Sequence, residues 1–171
     1  VKVDASCGLH VHHDAGDFNK KTFASLFALY FRYEEAIDMM MPPSRRSNRN
    51  SYCEGFQGYD IERLKTIDIE RLFGRYFKLN YHSYLRHGTV EFRQHSGTYE
   101  WQKINSWVVF TQMMVERAVT GTIQISRGAS DWFNLKKAVR GYAWMGADET
   151  QQEAIKFLNK RIKHFTKREN K

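Results

Sequence analysis

Thr89-Val90-Glu91-Phe92-Arg93-Gln94-His95, read together with Cys7-Gly8-Leu9-His10-Val11-His12, decides how the chain folds. Both stretches alternate in character, which predicts two short strands. In the first, Val3, Ala5, Cys7, Leu9 and Val11 share one face, and Asp4, Ser6, Gly8, His10 and His12 the other. In the second, Val90 and Phe92 point one way, and Thr89, Glu91, Arg93 and His95 the other. Successive side chains of a strand face opposite sides, so each strand offers an apolar face to a core and a polar face to a cleft. In one sheet, His10, His12, Glu91 and Arg93 meet on one surface, the candidate active site.

The chain around these strands has 171 residues, 42% hydrophobic and 15% aromatic, long enough for one domain with a real core and too apolar for a disordered segment. A net charge of +8 calls for an anionic partner without choosing among nucleotide phosphates, nucleic acid and acidic substrates. Cys7 and Cys53 stand alone, outside any C-x-x-C pair, which fits a reducing cytoplasm better than a disulfide-stapled secreted fold. No apolar run approaches the about 20 residues a membrane crossing needs.

From the first strand outward, Asp14 to Asp17 reads as a turn, with Asp17 or Asn19 capping a helix from about Lys20 to Met41. Phe23, Leu26, Phe27, Tyr30, Tyr33, Ile37 and Met40 or Met41 recur at helical spacing as its buried stripe, and Pro42-Pro43 stops it. A loop rich in Arg45, Arg46 and Arg49 follows, kept loose by Gly55 and Gly58. One or two short helices are expected within Asp60–Arg75, with Asp68 as a cap, and an irregular aromatic strand over Tyr76–Tyr84. A turn at Arg86-His87-Gly88 then enters the Glu91 strand, which Ser96 to Thr98 ends.

Beyond it, a helix from about Glu100 to Val119 is expected to bury Trp101, Ile104, Val108, Thr111, Val115 and Ala118. A small strand is expected at Thr122–Ile125, and Ser130 should cap a helix reaching about Trp144 and ended by Gly146. Asp148 or Thr150 should open the last helix, with Ala154, Leu158, Ile162 and Phe165 inward and a frayed basic end over Lys163–Lys171. The class is α+β: an antiparallel sheet of few strands with packed helices, in one domain over 1–171.

The H-x-H pair sets two imidazoles about 7 Å apart on one strand face. It suits a metal, or a metal and a phosphate, and equally two half-exposed histidines. His13 faces the other way and is structural. Glu91 and Arg93 lie two residues apart on one face, either as a surface pair worth under about 1 kcal/mol or as a carboxylate ligand beside a two-pronged anion holder. The arginine loop is either solvated or an anion clamp.

Cys-Gly-Leu-His-Val-His (7–12), Pro-Pro-Ser-Arg-Arg-Ser-Asn (42–48) with Tyr52-Cys53, and Leu79-Asn80 followed by Thr-Val-Glu-Phe-Arg (89–93) and Gly97-Thr98 occur in the order seen in the amidoligase family. The chain resembles that family, carboxylate–amine ligases related to glutamine synthetase and glutamate–cysteine ligase, up to about Val119. The resemblance implies a glutamine-synthetase-like catalytic portion over 1–120 with C-terminal helices over 121–171. It implies ATP-dependent amide-bond formation through an acyl phosphate, with Mg²⁺ or Mn²⁺ bridging the phosphates. By that analogy His10 and Glu91 are metal ligands, His12 contacts nucleotide phosphate, and Arg93 holds the substrate carboxylate or the transferring phosphate. Arg45 and Arg46 are phosphate clamps and Asn80 positions substrate.

Family members carry an E-x-E strand upstream of H-x-H. None precedes Val3, and Glu34-Glu35 within the first helix is a poor substitute. The resemblance therefore implies an N-terminally truncated domain, completed by upstream sequence or a partner chain. The expected partners are small-molecule or peptide carboxylate and amine substrates, without membrane or nucleic acid. Two alternatives remain open at this point: a metal-dependent hydrolase of the barrel type, and a basic module binding nucleic acid through Lys156, Lys160, Arg161, Lys163, Lys167 and Arg168.

Overall fold

The glycine-bounded strand at Thr89–Phe92 becomes the centre of a small antiparallel sheet. The computed structural model describes residues 2–4, 6–59, 73–121, 131–140 and 148–169. The sheet has the order β1 (Val11–Asp14), β3 (Thr89–Phe92), β2 (Leu79–Asn80). Val11 faces Phe92 and His12 faces Glu91 across the first pair, and Asn80 faces Glu91 across the second. Directly opposed residues of an antiparallel pair share a face. The register therefore brings His12, Glu91 and Asn80 to one side, and Val11, Phe92 and Leu79 to the other. Six α-helices complete the described part and make the class α+β.

The first strand is shorter and later than the alternation predicts. Regular pairing begins only at Val11 and runs through Asp14, so Asp14 belongs to the strand rather than the turn. Residues 7–10 keep the alternating exposure, and their backbone joins the segment after β3 through a Gly8–Ser96 bridge and the bonds from Leu9 N–H to the His95 carbonyl and from Gly97 N–H to the Cys7 carbonyl. His13 turns inward as expected and pairs with Thr111 Oγ1 at 2.8 Å.

Helix α1 (Lys20–Arg32) starts where Asn19 accepts the Thr22 N–H, satisfying an otherwise orphaned donor. The predicted single helix breaks at Tyr33, and a short α2 (Glu34–Asp38) continues it. The expected stripe from Phe23 to Met41 is nevertheless buried throughout, because the break preserves the inward face. Tyr76–Tyr84 is not one extended segment: β2 gives way to α3 (His82–His87), which Gly88 ends in the left-handed region at φ 67°.

Helix α4 (Trp101–Thr120) matches the expected span and buries Thr111, Val115 and Ala118 as predicted, but its N-terminal half turns otherwise. Trp107, Phe110 and Met114 fill the core, whereas Trp101 and Val108 are exposed. Trp101 sits in the first turn, beyond the end of the packed layer. Helix α5 (Trp132–Arg140) opens on Asp131, whose carboxylate accepts the Asn134 N–H. Helix α6 (Glu149–Glu169) is capped by Asp148, buries Ala154, Leu158 and Ile162 as predicted, leaves Phe165 half-buried, and is helical as far as Glu169 within the stretch expected to fray.

Helices α1 and α6 both pack on α4, and α4 packs on β1. The helices thus cover the Val11–Phe92 face and leave the Glu91 face for chemistry. Of the span Asp60–Arg75 expected to hold short helices, residues 73–75 are not helical and 60–72 lie outside the described residues, as do the strand at 122–125, the Ser130 cap, and the run through Trp144 to Gly146. The described sheet is antiparallel, unlike the parallel strands a hydrolase barrel requires.

Candidate active site

Glu91 is the hub. Its residue is only 5% exposed, and each carboxylate oxygen has named donors. Oε2 accepts from Asn80 Nδ2 at 2.6 Å, and Oε1 accepts from Arg93 Nη1 at 2.8 Å. His10 Nδ1 stands 2.8 Å from the same Oε1, and His12 Nε2 stands 3.7 Å from it. Burial by itself would raise the Glu91 pKa, but the hydrogen bonds from His10 and Asn80 and the Arg93 charge outweigh it and hold it at about 2. The carboxylate is a fixed anion at neutral pH.

The histidines are held differently. His12 Nδ1 lies 2.9 Å from Thr89 Oγ1 and 3.1 Å from Ser83 Oγ, which turns Nε2 towards Glu91. Ser83 on α3 and Thr89 were not readable as site residues, because a lone Ser and a lone Thr carry no spacing signal. The His10 side chain needs a bare backbone beside it. A Cβ on Gly8 would lie 2.9 Å from His10 Nε2 and 3.6 Å from Arg45 Nη1.

The structure thus gathers His10, His12, Asn80 and Arg93 around Glu91, each within 3.7 Å of its carboxylate. Arg45 borders this group from below: it is 2% exposed, and its Nη2 donates to the Cys7 carbonyl at 2.7 Å. Arg46 turns elsewhere, with Nε donating to the Met41 carbonyl at 2.8 Å and its guanidinium over the Phe165 ring. His95 leaves the Glu91 face, because regular pairing ends at Phe92. It packs against Trp107 of α4, with ring centroids 5.5 Å apart.

Two donors of the cluster have the separation of neighbouring ligands on one ion. Ligands at right angles around a cation with bonds of about 2.1 Å stand roughly 3 Å apart, close to the 2.8 Å between His10 Nδ1 and Glu91 Oε1. The same Oε1 carries Arg93, and among the described residues no set of three or more His, Cys, Asp and Glu side chains is arranged to hold an ion by itself. The residues fit as two legs of a coordination shell, not as a whole one.

A buried ionic cluster that the sequence reading missed supports the site from behind. Lys78, fully buried, places Nζ 2.6 Å from Glu34 Oε1 and 2.7 Å from Asp38 Oδ1. Glu34 also accepts the Phe56 N–H, and Asp38 accepts the Ser47 N–H and Gln94 Nε2. The i, i+4 spacing of Glu34 and Asp38 with a lysine between two core residues was the available signal. Gly55 is tightly packed rather than loose, since a Cβ there would strike the Glu34 carboxylate.

No curated protein and no solved structure matches the chain significantly. Among the described residues no helix is long and apolar enough to cross a membrane. A model of the family described as "Putative amidoligase enzyme" matches residues 1–115, a span that takes in both histidine and glutamate strands, the arginine loop and β2. With about two thirds of its length matched, including every residue of the Glu91 cluster, the chain belongs to that amidoligase family.

Proposed function

We propose that the chain carries the site of an ATP-dependent carboxylate–amine ligase. The observation that supports this reading is the Glu91 cluster itself: an obligate carboxylate anion held between an imidazole and a guanidinium, in a chain of the amidoligase family. In the proposed reaction an oxygen of the acid substrate attacks the γ-phosphorus of ATP and ADP leaves. The amine then attacks the acyl carbon, loses a proton and expels phosphate.

With the His10 proton on Nε2 instead of Nδ1, His10 and Glu91 would hold a divalent cation, Mg²⁺ or Mn²⁺, with phosphate oxygens and water among its other ligands. Such an ion supplies charge neutralisation for the nucleotide phosphates. Asn80 fixes Glu91 Oε2, so the carboxylate cannot swing away. Arg93 is a planar fork with one arm on Glu91, suited to gripping a substrate carboxylate or the transferring phosphate with the remainder. His12, steered by Thr89 and Ser83, offers a nitrogen to nucleotide phosphate. Arg45 adds positive charge near His10, and would act as a phosphate clamp only by leaving the Cys7 carbonyl. Arg46 would join it as a second clamp only by leaving Phe165. The free thiols Cys7 and Cys53 suit a cytoplasmic setting.

The test is calorimetric titration with ATP and Mg²⁺, followed by hydroxamate formation from hydroxylamine and a panel of amino acids. Saturable ATP binding that weakens at least about tenfold in Arg93→Ala supports the reading. ATP binding absent from the wild type, or hydroxamate formed equally without ATP, overturns it.

A further inference from the structure

The positive charge does not reside mainly at the site. Residues 1–115 hold 15 Lys and Arg against 13 Asp and Glu, whereas residues 116–171 hold 12 against 6. The surplus therefore lies outside the family-matched span. On α6, Lys156, Lys160, Lys163 and Lys167 are all exposed and, at 3.6 residues per turn, fall within an arc of roughly 60° over a length of about 16 Å. None of the four has a carboxylate within ion-pair distance among the described residues. Like charges at i, i+3 and i, i+4 weaken a helix, so the stripe opposes the stability of its own element.

The stripe continues towards the site. His164, Arg168 and Arg161 step round α6 from Lys160 to the side facing the arginine loop. Arg161 and Arg46 lie over the Phe165 ring at 5.3 and 5.4 Å, and Arg161 Nε donates to the Met40 carbonyl. Below this surface Arg45, itself buried, ties the loop to the Cys7 carbonyl just before Gly8 and His10. Phe165, the aromatic ring in this band, has guanidinium groups against it, so it is no platform for stacking bases. A band of positive charge without a stacking platform suits the carboxylates of a peptide, which need none.

We propose that this band docks an acidic peptide carrying several carboxylates, one of which it leads towards Arg93. The delivery rests on the ligase reading above; the docking does not. The stripe attracts the peptide electrostatically, and Arg161 and Arg46 mark where it turns off α6 towards the sheet.

A fluorescein-labelled decaglutamate, followed by fluorescence anisotropy without ATP, tests the docking. Binding should fall at least about tenfold in Lys156→Glu/Lys160→Glu/Lys163→Glu/Lys167→Glu, and it should hold in Lys2→Glu/Lys21→Glu, which changes exposed lysines elsewhere. Lys160→Gln/Lys163→Gln, which keeps the helix while removing two charges, should give an intermediate loss. No binding by the wild type, or equal losses in the stripe and control variants, overturns the proposal. Tighter binding of an oligothymidylate of equal length through the same lysines overturns the choice of a peptide. Because ATP is absent, these results stand apart from success or failure of the ligase assay.

Discussion

Lys78→Met removes the cation that bridges a buried pair of carboxylates. Lys78 Nζ sits 2.6 and 2.7 Å from Glu34 and Asp38, with side-chain exposures of 7% and 10% for the two acids and none for the lysine. A methionine fills nearly the same volume, so the packing change is small and the effect is electrostatic. Stranding buried charge by deleting its partner costs roughly 3–5 kcal/mol. Several backbone and amide donors still serve the two acids, which puts the expected loss near the low end, at about 3 kcal/mol. Urea unfolding at neutral pH measures it as a drop in midpoint with an unchanged slope. Replacing the acids as well, in Lys78→Met/Glu34→Gln/Asp38→Asn, should recover part of the loss because the stranded charges are gone. A Lys78→Met loss below about 1 kcal/mol, the range of exposed pairs, would refute the claim that the cluster is desolvated.

Gly97→Ala places a Cβ 2.6 Å from Cys7 Cβ and 3.0 Å from the Cys7 carbonyl, so the Gly8–Ser96 bridge must open. It should cost about 1–3 kcal/mol by urea unfolding, and Gly74→Ala, which meets nothing within 4 Å, should cost far less. Burial holds the His95 pKa down at about 4, helped by the charges of Arg161, Lys103 and Arg45. A histidine kept neutral in the fold but protonated when unfolded gives full stability above its ordinary 6.5 and loses it as pH falls from 6.5 towards 4. The loss is on the order of 3 kcal/mol, and His95→Gln should flatten that part of the stability–pH curve.

Period-two alternation made the Glu91 strand and the inward turn of His13 legible, because a strand assigns faces strictly by parity. The same rule placed His10, His12, Glu91 and Arg93 together, and register with β2 added Asn80. Parity held one residue past the ladder, to Arg93, and failed after it, where His95 swings to α4. It also overextended β1, since residues 7–10 alternate in exposure without regular pairing. Helix α4 has apolar residues around much of its circumference, so spacing alone could not choose between Trp101 and Trp107; only the neighbouring layer decides. Lys78 was hidden because a lysine between Phe77 and Leu79 reads as an edge-strand charge until Glu34 and Asp38 are seen across the fold. Arg45 and Arg46, alike in sequence, part company because Arg45 follows the loop under Cys7 and Arg46 meets α6.

Mn²⁺ added to protein with ¹⁵N-labelled histidine, in the presence of ATP, tests whether His10 and Glu91 share a cation. The account predicts that the His10 imidazole signals broaden first and those of His12 next, that those of His164 on α6 broaden least, and that Glu91→Gln abolishes the selectivity. Broadening that spreads evenly over all the histidines, or that persists unchanged in Glu91→Gln, would contradict it.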